Sequence, residues 1–228
     1  FCTYLYRDMC KMDSPFSAGK PTGDMLEILY KFVSEGWVEQ DLATTNWEQS
    51  KVDMANGKIG MMTLGMWAVS QIQDVNKDNA DDICIAPFPA TNSGELKAGA
   101  GPDQYLGVSV HSKHKEEAKD FAIYFANCLE YLDASGFIPA NQKLESGNPV
   151  VKAYQDSGVE LMFADPAQAD QAASDLTTEI ANESGIKFWE GAYIQNAVIA
   201  AKKSRADFDK VIEDYNTKWN ANKEKLSK

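Results

Sequence analysis

Trp67 is the residue of this sequence whose type and setting best suit binding of a small polar solute. It stands where a predicted buried strand, 58–64, gives way to a predicted helix, and strand ends of this kind face the cleft in open α/β sheets. An indole ring can cover the apolar C–H face of a sugar, and Gly65 beside it would let the backbone approach a ligand closely. The alternative is a core tryptophan packed under the helix.

A second candidate group lies near the start of a predicted helix whose apolar stripe begins at Ile194. It comprises Trp189, Glu190 and Tyr193, which combine two aromatic rings with a carboxylate. Such a set can bind a ligand that has both apolar faces and hydroxyl groups. The alternative is that Phe188 and Trp189 fasten the start of the helix to the core.

A third group, Asp103, Gln104 and Tyr105, ends a Gly-rich loop predicted over 90–102. Asp103 could accept hydroxyl hydrogen bonds with the strength of a charged acceptor, although Pro-Asp pairs often only mark solvated turns. Trp47 is a weaker candidate for an aromatic plate at the rim of a cleft, because a residue at a helix start often packs inward.

The motifs of common enzyme classes are missing from the sequence. It contains no GxSxG, HExxH or phosphate-binding glycine motif, so we predict no catalytic residues and no cofactor. The many acidic side chains nevertheless keep a glycosidase-like carboxylate pair open as an alternative. His111 and His114 lack a third ligand type nearby, and the cysteines have no metal-ligand spacing, so we predict no metal site. Cys84 and Cys128 lie in apolar stretches and are predicted to be buried.

Composition indicates an ordinary globular protein that does not bind nucleic acid. Of the 228 residues, 44% are hydrophobic and 25% are charged, which is enough to build a core. The net charge of −12 argues against a nucleic-acid partner, which requires a basic face. No apolar run reaches the roughly 20 residues that span a bilayer. Because the chain opens without Met inside a structured pattern, we expect it to be a piece of a longer protein.

Strands and helices alternate in the predicted elements, which indicates an α/β protein. Short apolar runs predict strands at 58–64, 82–86 and 105–110. Apolar periodicity and capping residues predict helices at 22–35, 46–56, 67–72, 115–131, 149–156 and within 165–182, and two more in the last third. In the first helix Met25, Leu29 and Phe32, with Leu26 and Val33 beside them, form an apolar stripe at helical period.

Four ordered stretches resemble the extracellular solute-binding proteins of ABC importers, the family that includes maltose-binding protein. NGKIGMM at 56–62, followed by GMW at 65–67, is similar to the family's "GKxAM…GxW" segment. IAPFP at 85–89 resembles its strand that ends in a "PxP" turn. GVSVHSKHKEEA at 107–118 is similar to its strand–"SKxKExA"–helix unit, and GFIPA at 136–140 resembles its "GxIPA" crossing.

The resemblance implies a type II periplasmic-binding-protein-like α/β fold whose N-terminal half is absent. Residues 1–105 would begin the C-terminal lobe, 106–136 would pack in the N-terminal lobe, and 137–228 would complete the C-terminal lobe with helices. It also implies a stacking role for Trp67, and aromatic ligand contacts at the helix start near Trp189.

The implied function is capture of a small polar solute, with a mono- or oligosaccharide favoured, and its delivery to the membrane permease of an ABC importer. The resemblance thus implies a binding protein and not an enzyme, held by a lipid anchor at the extracellular face of the membrane or free in the periplasm. A carbohydrate-active enzyme and a ligand-sensing module that feeds a receptor remain the alternatives.

Overall fold

The computed structural model describes residues 9–41, 46–88, 94–101, 104–163 and 170–227. The chain divides into two compact units. Unit 1 combines Phe1–Thr45 with Ala164–Lys228, and unit 2 is the continuous segment Asn46–Phe163. The predicted lobe assignments of 1–105, 106–136 and 137–228 stay predictions.

Unit 1 is built from four α-helices in its described part, with 3-10 turns at Met9–Lys11 and Phe188–Glu190. The helices are α1 (Pro21–Ser34), α7 (Gln171–Glu183), α8 (Ala192–Lys203) and α9 (Arg205–Leu226). The two predicted helices of the last third are confirmed. On α9 the residues Phe208, Tyr215 and Trp219 are buried, and their helical spacing places them on one face.

Phe16 lies at the centre of the unit 1 core, on the segment that precedes α1. Its ring makes edge-to-face contacts with Tyr193, Tyr215 and Trp219 at centroid distances of 6.5, 5.6 and 5.9 Å, the geometry that aromatic quadrupoles favour. The Phe16 N–H donates to Asn216 Oδ1 at 3.0 Å. The segment before α1 is therefore fixed to α9 by both apolar packing and backbone hydrogen bonding.

The buried face of α1 matches the predicted one only in part. Leu26 and Val33 are buried, whereas Phe32 is exposed and packs against Trp37. Of the predicted stripe, Leu26 and Val33 lie in the core and Leu29 packs against it, whereas the predicted inward position of Phe32 is wrong. The end of the helix before Gly36, whose φ is +71°, is confirmed.

Unit 2 contains five described helices: α2 (Trp47–Ala55), α3 (Trp67–Val75), α4 (Lys115–Ala126), α5 (Leu129–Ser135) and α6 (Pro149–Asp156). A 3-10 turn, Lys77–Asp82, follows α3. The core of the unit gathers Ala55 from α2, three residues of α3, and Ile83. The predicted helices 46–56 and 149–156 are confirmed, and Asn148 caps α6 by accepting from the N–H groups of Val150 and Val151.

The described strands of unit 2 are β1 (Lys97–Ala100) and β2 (Glu160–Phe163), which pair in parallel with Lys97 opposite Glu160. Lys97 Nζ lies 3.2 Å from Glu160 and 3.0 Å from Glu95. The predicted loop over 90–102 is thus wrong at 97–100, while its residues 90–93 and 102 lie outside the described residues.

The three predicted strands of unit 2 are wrong. Residues 58–64, 82–86 and 105–110 are all described by the structure, and none of them is in a strand. A strand needs a neighbour for its ladder hydrogen bonds, and these segments have no ladder partner in the described residues. Met61 is 84% exposed, which contradicts its predicted burial in a strand.

The predicted helix 115–131 divides into α4 and α5 at Asn127 and Cys128. Every residue of α4 is described and none is buried; Phe121, from its predicted inner face, is 59% exposed. Cys84 is exposed and Cys128 is half-buried, so their predicted burial is wrong. Both cysteines lie in or beside the segments whose predicted strand or continuous helix does not form.

Candidate functional site

Trp67 is the first residue of α3 and is half-buried against the core cluster of unit 2. The edge of its indole lies directly over Gly65. A Cβ placed on Gly65 would lie 2.4 Å from Nε1 and 2.7 Å from Cδ1 of Trp67, far inside van der Waals contact. Gly65 therefore makes room for this pose of the ring, and the predicted close approach of its backbone to a ligand stays a prediction.

Trp47 contacts Trp67, with ring centroids 5.8 Å apart and an interplanar angle of 58°. Trp47 is the first residue of α2 and is also half-buried against the unit 2 core. We call Trp47 and Trp67 the indole pair. The sequence reasoning named both residues separately, and the structure brings them together with Gly65.

Both indoles stand at the first position of a helix; Asn46 caps the first of these helices, while the second has no side-chain cap. The Gln49 N–H donates to Asn46 Oδ1 at 3.1 Å, which starts α2 immediately before Trp47. At the start of α3 the Ala68 N–H donates to the Gly65 carbonyl at 3.0 Å. The indole pair is thus positioned by two helix starts, whose backbone geometry the sequence fixes over a few residues.

Lys51 supports the indole pair and was missed by sequence reasoning. Its Nζ lies 5.2 Å from the centroid of the Trp47 ring, within the range of a cation–π interaction. The available signal was the spacing, because Lys51 follows Trp47 by four residues on one helix and therefore lies on the same face.

Gln104 and Tyr105 belong to another contact group of unit 2. The Tyr131 hydroxyl donates to Gln104 Oε1 at 2.7 Å, which leaves the amide N–H groups of Gln104 for other acceptors. Tyr131 itself packs against Phe125 and Phe137. Tyr105 is 81% exposed. The other predicted member of this group, Asp103, lies outside the described residues.

The predicted group at the start of α8 lies in unit 1 and is divided between core and surface. Tyr193 is only 2% exposed, and its ring packs in the core. Its carbonyl accepts a hydrogen bond from the Tyr215 hydroxyl at 2.9 Å. Glu190 is exposed and pairs with Lys187 at 2.9 Å. The side chain of Trp189 lies outside the described part of the structure, so a ligand contact there stays a prediction.

A polar groove of about 450 Å³ in unit 1 is a weaker candidate for a sugar site. Glu27, Arg205, Asp209 and Asn216 are among its lining residues, and of the described residues that line it none is aromatic. Arg205 is held by both oxygens of Glu27 and by Asp209. The positive charge of Arg205 is therefore already paired with carboxylates of the protein.

Neither a metal centre nor a membrane-spanning helix is found in the described part of the chain. No group of three or more His, Cys, Asp or Glu side chains there could hold a metal ion. The described helices are too short or too polar to cross a bilayer.

Comparison with protein families gives a match to residues 8–127, more than half of the 228 residues, for the family described as bacterial extracellular solute-binding protein. The chain belongs to this family. Comparison with curated protein sequences finds no significant match.

Among solved structures, the chain is similar to two solute-binding proteins from Bifidobacterium animalis subsp. lactis. One is BlMnBP1, a binding protein of an ABC transporter in complex with mannobiose, at 30% identity and a TM-score of 0.77 over 98% of this chain and 53% of that one. The other is BlMnBP2, a manno-oligosaccharide specific solute-binding protein in complex with mannotriose, at 29% identity and a TM-score of 0.77 over 95% and 52%.

The chain spans about half the length of these solute-binding proteins. Its helices and small parallel sheet match part of the solute-binding protein fold. The predicted α/β fold class and the predicted family are therefore confirmed.

Proposed function

We propose that the protein containing this chain binds an oligosaccharide, with manno-oligosaccharides as the first class to test, and delivers it to the permease of an ABC importer. Family membership supports a solute-binding role. The sugar class is supported by the mannobiose and mannotriose bound to two similar structures. We also propose a location at the extracellular face of the membrane or in the periplasm, which the family's description as extracellular supports.

The indole pair is the observation that carries the sugar proposal. Trp67 is half-buried, so one part of the ring is anchored in the unit 2 core while the remainder stays available to a ligand. A sugar ring presents C–H faces that stack on an indole, and its hydroxyl groups need donors and acceptors nearby.

No residue of the chain is proposed as catalytic. The family is described as extracellular solute-binding protein, and the similar BlMnBP1 is a binding protein of an ABC transporter, which supports binding without chemical change. A bound sugar would be released intact to the permease.

Calorimetry of the full-length protein with mannobiose and mannotriose tests the proposal, with maltotriose as a sugar of matched length. We expect tight binding of a manno-oligosaccharide without product formation. Trp67→Ala should weaken that binding about 5- to 150-fold, which corresponds to about 1–3 kcal/mol for truncation of a desolvated aromatic contact. Trp37→Ala, which removes an exposed tryptophan of unit 1, should bind as the unchanged protein does.

The outcomes separate the alternatives. Shortened sugars in chromatograms of the incubated mixture would show a carbohydrate-active enzyme and refute the transport proposal. Unchanged affinity of Trp67→Ala together with a lowered melting temperature would show that Trp67 is a core residue only. Absence of binding to every saccharide tested would reject the sugar class.

A further inference from the structure

We propose that Lys51 is a positioning residue that sets the orientation of the indole pair, acting on Trp67 through Trp47. The consequence for sugar affinity rests on the proposed function above. The orientation itself does not, because it is a property of the protein without ligand.

The position of Lys51 is well defined for a lysine on a surface helix. Only 12% of its side chain is exposed, although lysine side chains usually extend into solvent. Its Nζ lies 5.2 Å from the centroid of the Trp47 ring. The aliphatic stem is therefore packed while the charged end is held at the ring, which is how an amphipathic side chain covers an apolar surface.

An ion pair keeps the ammonium group in place. Lys51 Nζ lies 2.9 Å from Glu48 Oε2, and the Glu48 side chain is 78% exposed. The Glu48 carboxylate thus remains in water and bears little desolvation cost. It pairs with the Lys51 ammonium group on the side of that group that faces the solvent. Both partners and Trp47 lie on one helix, so their relative positions are fixed by the backbone of α2.

The constraint on Trp47 reaches Trp67 by direct contact. The two rings are inclined at 58° with centroids 5.8 Å apart. Because the Trp67 edge is confined on another side by Gly65, a change in the tilt of Trp47 must change the space left for Trp67. A rotamer change of Trp47 would therefore alter the surface that a stacked sugar meets.

Lys51→Met tests the proposal, because methionine keeps an unbranched helix-forming stem and removes the charge. Lys51→Arg retains a cation for the ring and is the rescue variant. Lys119→Met is the matched control, since exposed Lys119 forms an i,i+3 ion pair with Glu116 on α4, as Lys51 does with Glu48 on α2.

The first readout is circular dichroism of the full-length protein without sugar. The electronic transitions of two indoles at this distance and angle couple, which gives a circular dichroism signal. The difference between the spectra of the unchanged protein and Trp67→Ala assigns this signal to the indole pair. We expect Lys51→Met to change this signal, and Lys51→Arg and Lys119→Met to preserve it. The second readout is mannotriose affinity, which should fall about three- to tenfold in Lys51→Met, in keeping with loss of a partly desolvated cation–π contact.

Each combination of results has one meaning. An unchanged coupling signal in Lys51→Met overturns the positioning role, and a loss of affinity in that case would show that Lys51 contacts the sugar directly. A changed signal in a protein that binds no saccharide supports the positioning role and rejects the proposed function. A changed signal with weakened binding, both restored in Lys51→Arg, supports both.

Discussion

Gly65→Ala is the smallest change that should disturb the indole pair. The φ angle of Gly65 is not positive, so alanine can adopt its backbone conformation without strain. The new methyl group would lie 2.4 Å from Trp67 Nε1, while ordinary contact begins at 3.4 Å. The indole must therefore retreat by about 1 Å or change rotamer, since repulsion rises steeply inside contact distance.

Gly65→Ala should weaken ligand binding clearly and lower stability by a similar or smaller amount. Alanine should stabilise the protein by about 0.4–1 kcal/mol, because it lowers the conformational entropy of the unfolded chain, and displacement of the indole should cost about 1–3 kcal/mol. The net destabilisation is then about 0–2.6 kcal/mol. Sugar affinity should fall about 5- to 150-fold, because the misplaced ring loses a contact worth about 1–3 kcal/mol.

Calorimetry with the manno-oligosaccharide that binds the unchanged full-length protein measures this effect, and urea unfolding measures stability. Gly60→Ala is the matched control, because a Cβ at Gly60 would meet nothing within 4 Å. It lies five residues earlier in the same connection between α2 and α3. If Gly65→Ala binds the sugar as tightly as Gly60→Ala does, the pose of Trp67 does not determine binding and the reasoning is refuted.

Two further predictions concern the stability of unit 1. Tyr215→Phe should cost about 1 kcal/mol at neutral pH, because it removes the buried hydrogen bond to the Tyr193 carbonyl. Burial raises the pKa of Tyr215 above its ordinary value of 10.0. As the pH rises through 10.0, the Tyr215 hydroxyl therefore loses its proton in the unfolded state before it does so in the folded state. The free energy of unfolding of the unchanged protein should then fall with pH more steeply than that of Tyr215→Phe. Arg205→Lys should cost about 0.5–1 kcal/mol, because lysine cannot form the bidentate pair with Glu27.

Urea unfolding over a pH series checks these predictions. Tyr105→Phe serves as the control for tyrosine, because that side chain is largely exposed, and Lys210→Arg serves as a charge-preserving control on α9. Parallel pH dependence of the unchanged protein and Tyr215→Phe would contradict the assignment of the raised pKa to burial. Equal stability of Arg205→Lys and the unchanged protein would show that the ion pair contributes nothing beyond its charge.

Helices were predictable from sequence where local signals agreed. The α6 helix has Asn148 as cap, Pro149 at its first position and a polar end, and its bounds match the prediction. The start of α3 at Trp67 follows equally from its apolar period. These features depend on residues within one or two turns of each other, which a single sequence displays directly.

Strands were not predictable, because pairing depends on residues distant in sequence. Segment 82–86 has the apolar residues of a strand but no strand forms there, whereas β1, with the sequence KAGA, has weak intrinsic preference and forms one. Whether a segment forms a strand depends on a pairing partner, and β1 pairs with β2 across more than fifty intervening residues. The exposure of Cys84 was mispredicted for the same reason.

The candidate site was predictable in its residue types but not in its contacts. Trp67, Trp47 and Gly65 were each identified by type and by position at an element boundary. That the two indoles touch depends on how α2 packs on α3, which spacing along the chain does not reveal. The burial of Tyr193 was likewise hidden, since its neighbour Phe16 lies far earlier in the sequence.

The discontinuity of unit 1 constrains the order in which a ribosome can deliver this protein. Trp219 Nε1 donates to the Met12 carbonyl at 3.2 Å, across 207 positions of the sequence. Residues 46–163 leave the ribosome as one uninterrupted stretch and can collapse as soon as they emerge. The segment around Phe16 must instead keep its apolar side chains unprotected until α9 is translated. Ribosome arrest before residue 205 should therefore leave a nascent chain in which 46–163 resists protease and the segment around Phe16 is cleaved.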